Sequence, residues 1–126
     1  IGNPHAVLFV PDCDAIDLAT TGAALENSAM LPERANISFC TVEAPNKIRA
    51  RVWERSAGAT LACGSAACAI AVAGVRAGLT ERSVTVALPG GNLDLEWRDD
   101  GHVLMAGPTA LAYAGTLAPE LAACDA

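Results

Sequence analysis

Residues 62–75 read ACGSAACAIAVAGV, and this stretch decides the fold. No charged side chain interrupts it between Ser65 and Val75, so the segment has no polar face. Arg76 and Gly78 mark its end, because glycine commonly closes a helix just after the last turn. A helix that is apolar on every side must be buried on every side. The stretch therefore predicts a central helix with other elements packed around it.

The sequence on both sides of this helix predicts strands. Upstream we expect strands over 5–10, 36–42 and 47–54, a short helix over 14–25, and a loop over 56–60. Downstream, alternating apolar residues separated by Pro89-Gly90-Gly91 and Asp99-Asp100-Gly101 predict hairpins, followed by a last strand from Leu111 to Leu117. These elements predict an α+β domain in which a strongly bent antiparallel or mixed sheet wraps one apolar helix.

Length and composition narrow the class of protein. With 126 residues, 52% of them hydrophobic, the chain suits one domain over residues 1–126 and is too short for two. A net charge of −6 argues against nucleic acid or an anionic membrane as a partner, since both require a basic patch. No apolar run approaches the roughly 20 residues that cross a bilayer.

The cysteine pattern favours a reduced, cytoplasmic protein. The five cysteines are odd in number, irregularly spaced and without a C-x-x-C pair, so neither a disulfide framework nor a structural zinc site is expected. We expect most of them to be small buried hydrophobic residues, with Cys124 either buried or exposed near the end of the chain. No metal is expected.

Cys63 differs from the others because it lies at the start of the apolar helix. A helix N-terminus has unpaired N–H groups and a positive dipole, which favour a thiolate over a thiol. The N–H groups of Gly64 and Ser65 could also bind a carboxylate. The competing interpretation is an inert cysteine in a Gly-Ser turn with Ser65 as the N-cap.

Glu54 and Arg55 precede Cys63 at the end of the alternating strand. A carboxylate close to a thiol can exchange a proton with it, and an arginine can bind a carboxylate in a bidentate manner. Judged alone, the two residues could equally form an ordinary surface ion pair.

Four stretches, in order, resemble the diaminopimelate epimerase family. They are Gly2-Asn3-Pro4-His5, the segment Asn36-Ile37-Ser38-Phe39, residues 51–69 around Glu54-Arg55 and Cys63-Gly64-Ser65, and the closing Leu88-Pro89-Gly90-Gly91 with Gly107-Pro108. The resemblance implies a metal-free, cofactor-free epimerase of two similar halves, each a mixed sheet curled into a barrel around a central helix. It implies that this chain is the C-terminal half of an enzyme of bacterial lysine and peptidoglycan synthesis.

The same resemblance implies residue roles in interconverting LL- and meso-2,6-diaminopimelate by one thiolate and one thiol. Cys63 would be one of the two catalytic cysteines, with Glu54 as its proton partner and His5 assisting the opposing cysteine. Gly64 and Ser65 would hold the reacting α-carboxylate. The distal end of the substrate would be bound by Asn3, Asn36 and Arg55, with Glu54 at the same site.

The chain departs from the usual family pattern in three places and lacks one part. Ser56 and Ala59 replace a glycine and a glutamate, and Ala66 stands where glycine is common. The first half, with the second cysteine, is absent, and the chain begins with Ile1, so we expect a fragment that is inactive alone. The expected partners are diaminopimelate, the missing half and, in the parent enzyme, a second subunit of a homodimer.

Two alternatives stay open. One is a proline racemase or hydroxyproline epimerase of the same superfamily, against which Asn3, Asn36 and Arg55 argue because proline has no distal charged group. The other is a non-catalytic interaction domain in which Cys63 is inert.

Overall fold

The computed structural model describes residues 1–118, which form one seven-stranded mixed sheet with a helix on each face. In chain order the elements are β1 His5–Phe9, α1 Leu18–Glu26, β2 Asn36–Ala44, β3 Lys47–Glu54, β4 Gly58–Thr60, α2 Gly64–Arg76, β5 Ser83–Leu88, β6 Gly91–Trp97 and β7 Val103–Ala106. The strand order is β1-β2-β3-β5-β6-β7, with β4 also paired to β3. The pairs β1–β2 and β3–β5 are parallel and the others antiparallel. The α+β class and the mixed sheet are confirmed.

Two apolar clusters lie on opposite faces of the sheet because strand side chains alternate. On β3, the buried residues Ile48, Ala50 and Val52 pack against α2, as the alternation of this segment predicts. Trp53 faces the other way and packs against the cluster beneath α1. The domain is therefore a three-layer arrangement of α1, sheet and α2. Within the part of the chain described, no helix is long and apolar enough to cross a membrane.

The central helix is confirmed, but its burial on every side and the barrel are wrong. α2 buries the face formed by Ala66, Ala67, Ile70, Ala71 and Gly74, while its opposite face is only half-buried. The reason is that the sheet is open: β1 and β7 do not pair, and a groove of about 800 Å³ lies between them along α2. The helix ends as predicted, with Gly78 in the left-handed region at φ 70°.

Two other local predictions need correction. The expected loop contains β4, because positive φ values at Ser56 (67°) and Gly58 (82°) turn the chain back onto β3. The first helix begins at Leu18 because the Asp17 carboxylate caps it, accepting from the Thr20 N–H at 3.2 Å.

The segment from Leu111 to Leu117 does not form the expected strand. Its apolar residues alternate, but no neighbouring strand among residues 1–118 pairs with it, so Leu111, Tyr113 and Leu117 are exposed. The expectation for Cys124 lies outside the described residues.

Candidate active site

Cys63 occupies the N-cap position of α2, where its backbone is extended and its side chain makes no capping hydrogen bond. Its carbonyl accepts from the Ala67 N–H at 3.0 Å, which closes the first turn of the helix. The N–H groups of Gly64 and Ser65 lie in that turn, where they have no partner within the helix. Cys63 is 8% exposed, so its sulfur lies out of contact with most of the solvent, at a helix end whose free N–H groups are suited to an anion. Ser65 lies within α2 and is not the N-cap.

A chain of side-chain contacts leads from β1 to the Cys63 sulfur. The Ser65 Oγ lies 3.5 Å from the Cys63 Sγ, and the Asn3 Nδ2 donates to the same Oγ at 3.4 Å. The Asn3 Oδ1 lies 3.1 Å from the His5 Nε2. With the imidazole proton on Nε2, the Asn3 amide accepts from His5 and donates to Ser65, and either the Ser65 hydroxyl or the Cys63 thiol can be the donor in the last contact.

The pKa of His5 is determined mainly by its burial. Burial lowers the pKa of His5 from its usual value, while the nearby Glu54 carboxylate acts in the opposite direction. Its Nδ1 is buried and has no hydrogen-bond partner among the residues described. Glu54 lies at the end of β3, and no hydrogen bond within residues 1–118 joins its carboxylate to Cys63. The structure thus links His5, Asn3, Ser65 and Cys63 through side-chain contacts.

Asn36 and Arg55 form a second group, held at the start of β2. The Asn36 Oδ1 accepts from the Arg55 backbone N–H at 2.9 Å, and its Nδ2 donates to the Pro4 carbonyl at 3.3 Å. The Arg55 guanidinium is exposed and donates to the Glu33 carbonyl at 3.1 Å. Asn36 therefore ties the segment before β1 to the residue that follows β3.

Glu26 is a site-supporting residue that the sequence did not reveal. The residue is 3% exposed, and its carboxylate accepts from the Trp53 Nε1 and the Ser56 N–H, both at 2.8 Å, and from Arg34 at 2.5 Å. The bond from the Trp53 indole is the main cause that lowers the pKa of Glu26. The one available signal was Trp53 itself, whose buried N–H needs an acceptor.

Two further residues position the start of α2. The Gly90 N–H donates to the Leu61 carbonyl at 2.7 Å, and a Cβ at Gly90 would lie 2.9 Å from that oxygen, so only glycine fits there. The turn between β5 and β6 thus holds the loop that leads into Cys63. The Met105 side chain lies over Gly64, where an added Cβ would be 3.2 Å from its Cε.

No hydrogen bond joins the other described cysteines to this group of residues. Cys13 and Cys40 are fully buried, as predicted, and burial raises the pKa of Cys40 well above its usual range. Cys68 is half-buried, and burial raises its pKa. Asp12, Cys13 and Asp14 bring three possible metal-ligand atoms within 4.8 Å of one another, but the Arg49 guanidinium already pairs with both carboxylates.

Comparison with known proteins identifies the family. Residues 1–112 match the family model described as diaminopimelate epimerase. The chain belongs to the diaminopimelate epimerase family. It is 54% identical over 121 residues to a diaminopimelate epimerase of Rhodospirillum centenum, and 54% identical over 117 residues to one of Acidiphilium cryptum. These alignments cover 96% and 93% of the chain but 42% of each relative, so the chain spans less than half the length of either family member.

Solved structures agree with the family fold. A phenazine biosynthesis protein of the PhzF family from Bacillus anthracis matches with a TM-score of 0.58 and 21% identity, covering 82% of this chain and 34% of that one. A PhzF-family protein from Enterococcus faecalis matches with a TM-score of 0.57 and 19% identity, covering 78% of this chain and 35% of that one. At this level of identity the likeness concerns the fold alone.

Proposed function

We propose that this chain supplies one side of the active site of a diaminopimelate epimerase, which interconverts LL- and meso-2,6-diaminopimelate. The observation that carries the proposal is Cys63 at the N-cap of α2, with the Ser65 hydroxyl beside its sulfur. The names of the family relatives supply the substrate class. The rest of the enzyme, outside this chain, supplies the second cysteine.

In the proposed reaction one sulfur removes the α-proton as a thiolate, and the other delivers a proton to the opposite face of the same carbon. The Gly64 and Ser65 N–H groups hold the α-carboxylate, and their fixed dipoles stabilise the charge that develops as the proton leaves. The low exposure of Cys63 excludes water, which would compete for the thiolate and weaken these interactions.

The remaining residues prepare the sulfur and bind the distal end of the substrate. Glu54 is the proposed proton partner of Cys63, and His5 assists the opposing cysteine of the other half. Arg55, whose guanidinium is exposed, and Asn3 bind the distal amino-acid group. Asn36 contributes to the same binding group. Its hydrogen bond to the Arg55 backbone N–H also fixes the position of the Arg55 backbone. Neither metal nor cofactor has a part in this scheme.

Two further features belong to the same proposal. All four described cysteines are free, which favours a reducing compartment, and we place the parent enzyme in the cytoplasm. We also propose a homodimer for the parent enzyme.

Substrate profiling tests the proposal. This chain is combined with the part of the Rhodospirillum centenum relative that precedes the matched region, and LL-diaminopimelate, proline and hydroxyproline are each offered. We expect LL-diaminopimelate alone to be epimerised, as measured by chiral chromatography, and the activity to survive Cys68→Ala but not Cys63→Ala. Turnover of proline in place of diaminopimelate would transfer the chain to the racemase alternative. A folded assembly that turns over none of the three would favour the interaction domain.

A further inference from the structure

Arg55 lies in the short loop that joins β3 to β4. Glu54 pairs with Gly58, so the strand ladder ends at these two residues. The three residues between them, Arg55, Ser56 and Ala57, lie outside the ladder. The Ala57 N–H donates to the Glu54 carbonyl at 3.1 Å and closes the loop. The ladder therefore fixes Glu54, whereas the position of Arg55 depends on contacts that the loop makes.

Two side chains from other elements hold this loop. The Asn36 Oδ1, at the start of β2, accepts from the Arg55 N–H at 2.9 Å. The Glu26 Oε1, at the end of α1, accepts from the Ser56 N–H at 2.8 Å. Two consecutive N–H groups are thus bound to two separate elements of the domain. Together these bonds fix the position and the direction of the backbone at Arg55.

The same Glu26 oxygen also holds the segment that the Arg55 guanidinium contacts. The Arg34 guanidinium donates to the Glu26 Oε1 at 2.5 Å. The carbonyl of the preceding residue, Glu33, accepts from the Arg55 Nη1 at 3.1 Å. One oxygen atom of a buried residue therefore joins the segment that carries the Arg55 backbone to the segment on which its side chain rests.

Backbone strain at the two donors points to the same role. Arg34 (φ 57°) and Ser56 (φ 67°) are the residues other than glycine that lie in the left-handed region within residues 1–118, and both donate to Glu26. This conformation is unfavourable for a residue with a side chain, and it persists where surrounding contacts hold it, most often at functional sites. A carboxylate at the last residue of a helix is also unfavourable, because the helix dipole is negative there. The contacts of Glu26 therefore serve the loop and not the helix.

We propose that Glu26 is a positioning residue for substrate binding: its carboxylate sets the place of Arg55 and thereby the affinity for the distal carboxylate of the substrate. The inference rests on the proposed function, which assigns the distal amino-acid group to Arg55. An arginine binds a carboxylate through two parallel hydrogen bonds, so the position of its backbone matters. Glu26 is 3% exposed and acts through Arg55, without contact to the substrate.

The proposal gives a specific kinetic signature. Arg55 binds the end of the substrate that does not react, so its contact is equally strong in the ground state and in the transition state. Loss of such a contact raises KM and leaves kcat unchanged. Glu54, the proposed proton partner of Cys63, is held by its pairing with Gly58 and not by Glu26. A general loss of folding has the opposite signature, because fewer active molecules lower the apparent kcat at a constant KM.

Three variants in one background separate this role from stability. Trp53→Phe removes the donor to the Glu26 Oε2 and leaves both bonds of the Oε1, to Ser56 and to Arg34. In that background Glu26→Gln still has an amide oxygen for these two donors, and no indole competes for it. Glu26→Met, in the same background, keeps the length of the side chain and has no acceptor oxygen.

Steady-state kinetics with LL-diaminopimelate measure the effect. The assembly is this chain combined with the part of the Rhodospirillum centenum relative that precedes the matched region. We expect Trp53→Phe, alone or with Glu26→Gln, to keep KM within about twofold of the wild type. With Glu26→Met in its place, KM should rise about tenfold or more at a nearly unchanged kcat, since a small displacement of a binding group has a large effect.

Amide hydrogen exchange on the intact 126-residue chain gives a readout that does not depend on activity. The Ser56 N–H should be protected in Trp53→Phe, alone or with Glu26→Gln. It should exchange about tenfold faster with Glu26→Met, because the bond that protects it is gone. Thermal unfolding establishes that each variant is folded at the assay temperature.

Arg34→Asn decides the question if the methionine variant does not fold. Asparagine tolerates the left-handed backbone and is too short to reach Glu26, and the Arg34 side chain is 44% exposed, so this variant should fold. It releases the segment that carries the Glu33 carbonyl and should raise KM about threefold or more.

Three results would overturn the proposal. One is a KM that stays at the wild-type value with Glu26→Met, or with Arg34→Asn where that variant decides. Another is a rise in KM that is as large with Glu26→Gln as with Glu26→Met. The third is equal exchange of the Ser56 N–H in all the Trp53→Phe variants. A wild-type assembly that does not turn over LL-diaminopimelate would instead refute the proposed function, and exchange at Ser56 would still show whether Glu26 holds the loop.

Discussion

Replacing Glu26 by glutamine should destabilise the domain strongly, although the two side chains have nearly the same shape. The carboxylate accepts from three donors: the Trp53 indole N–H and the Ser56 N–H at 2.8 Å, and Arg34 at 2.5 Å. A glutamine has one acceptor oxygen and places an amide N–H₂ where the second carboxylate oxygen was. At least one buried donor would then face another donor.

The size of the effect follows from these contacts. An unsatisfied buried donor costs about 1–3 kcal/mol, and losing the negative charge weakens the bonds that remain by roughly 1 kcal/mol. Arg34 adds little, because its side chain is 44% exposed and water replaces the lost contact. We expect a loss of about 2–4 kcal/mol in the free energy of unfolding, a large part of the roughly 5–15 kcal/mol of a typical domain.

The pH dependence gives the prediction a definite sign. Hydrogen bonding, chiefly from Trp53, lowers the pKa of Glu26 in the folded state. The stabilisation is therefore present above the pKa of an unfolded glutamate, about 4.3, and is lost as the pH falls through the lower folded pKa. The gap between the wild type and Glu26→Gln should be widest near neutral pH and should close in acid.

Urea unfolding followed by tryptophan fluorescence, at several pH values, measures this gap. Glu43→Gln is the matched control, because Glu43 pairs with Lys47 at 3.0 Å and with Arg49 at 2.9 Å on the surface. It should cost about 1 kcal/mol or less. Equal losses in the two variants, or a gap for Glu26→Gln that does not change with pH, would refute the reasoning.

Three other predictions concern packing, backbone strain and thiol chemistry. Gly22→Ala should lower the free energy of unfolding by about 1–2 kcal/mol, as measured by urea unfolding. The new methyl would lie 2.7 Å from the Trp53 Cβ, and this overpacking costs more than the gain of about 1 kcal/mol in helix propensity. A gain in stability would contradict this. Ser56→Gly should raise the melting temperature, because Ser56 has a left-handed backbone at φ 67°, and that conformation costs a residue other than glycine about 1 kcal/mol. An unchanged or lower melting temperature would count against strain at this position. Iodoacetamide should modify Cys63 before Cys68, because burial raises the pKa of the Cys68 thiol. Peptide mass spectrometry follows the modification of each cysteine. Accessibility alone predicts the opposite order, since Cys68 is the more exposed of the two.

Local patterns predicted the elements better than they predicted the sheet. The alternation over β3 and the glycine after α2 are short-range signals, and both elements formed where these signals lie. The open sheet could not be predicted, because it depends on whether β1 and β7 pair with each other. The sequences of these two strands do not determine that. The segment from Leu111 to Leu117 has the right alternation for a strand, but a strand needs a partner, and none of the described residues provides one.

In the candidate site, too, the sequence predicted the local features and did not predict the long-range contacts. The position of Cys63 at the helix start follows from the local sequence, and the structure agrees. The contact of Asn3 with Ser65 joins residues 62 positions apart, so no local pattern reveals it and only the family resemblance suggested a shared site. Glu26 was missed because its three donors come from separate parts of the chain and its own surroundings look like an ordinary helix end.

The most direct test of the central claim is exchange of the α-proton of diaminopimelate in deuterated water, followed by NMR. The assay uses this chain alone, then with the preceding part of the Rhodospirillum centenum relative, and then with Cys63→Ala or Cys68→Ala in this chain. Because Cys63 makes no capping bond, its replacement by alanine should leave α2 intact. We predict exchange only in the combined assembly, lost with Cys63→Ala and kept with Cys68→Ala. Exchange that persists without the Cys63 sulfur, or none in a folded wild-type assembly, would contradict the account.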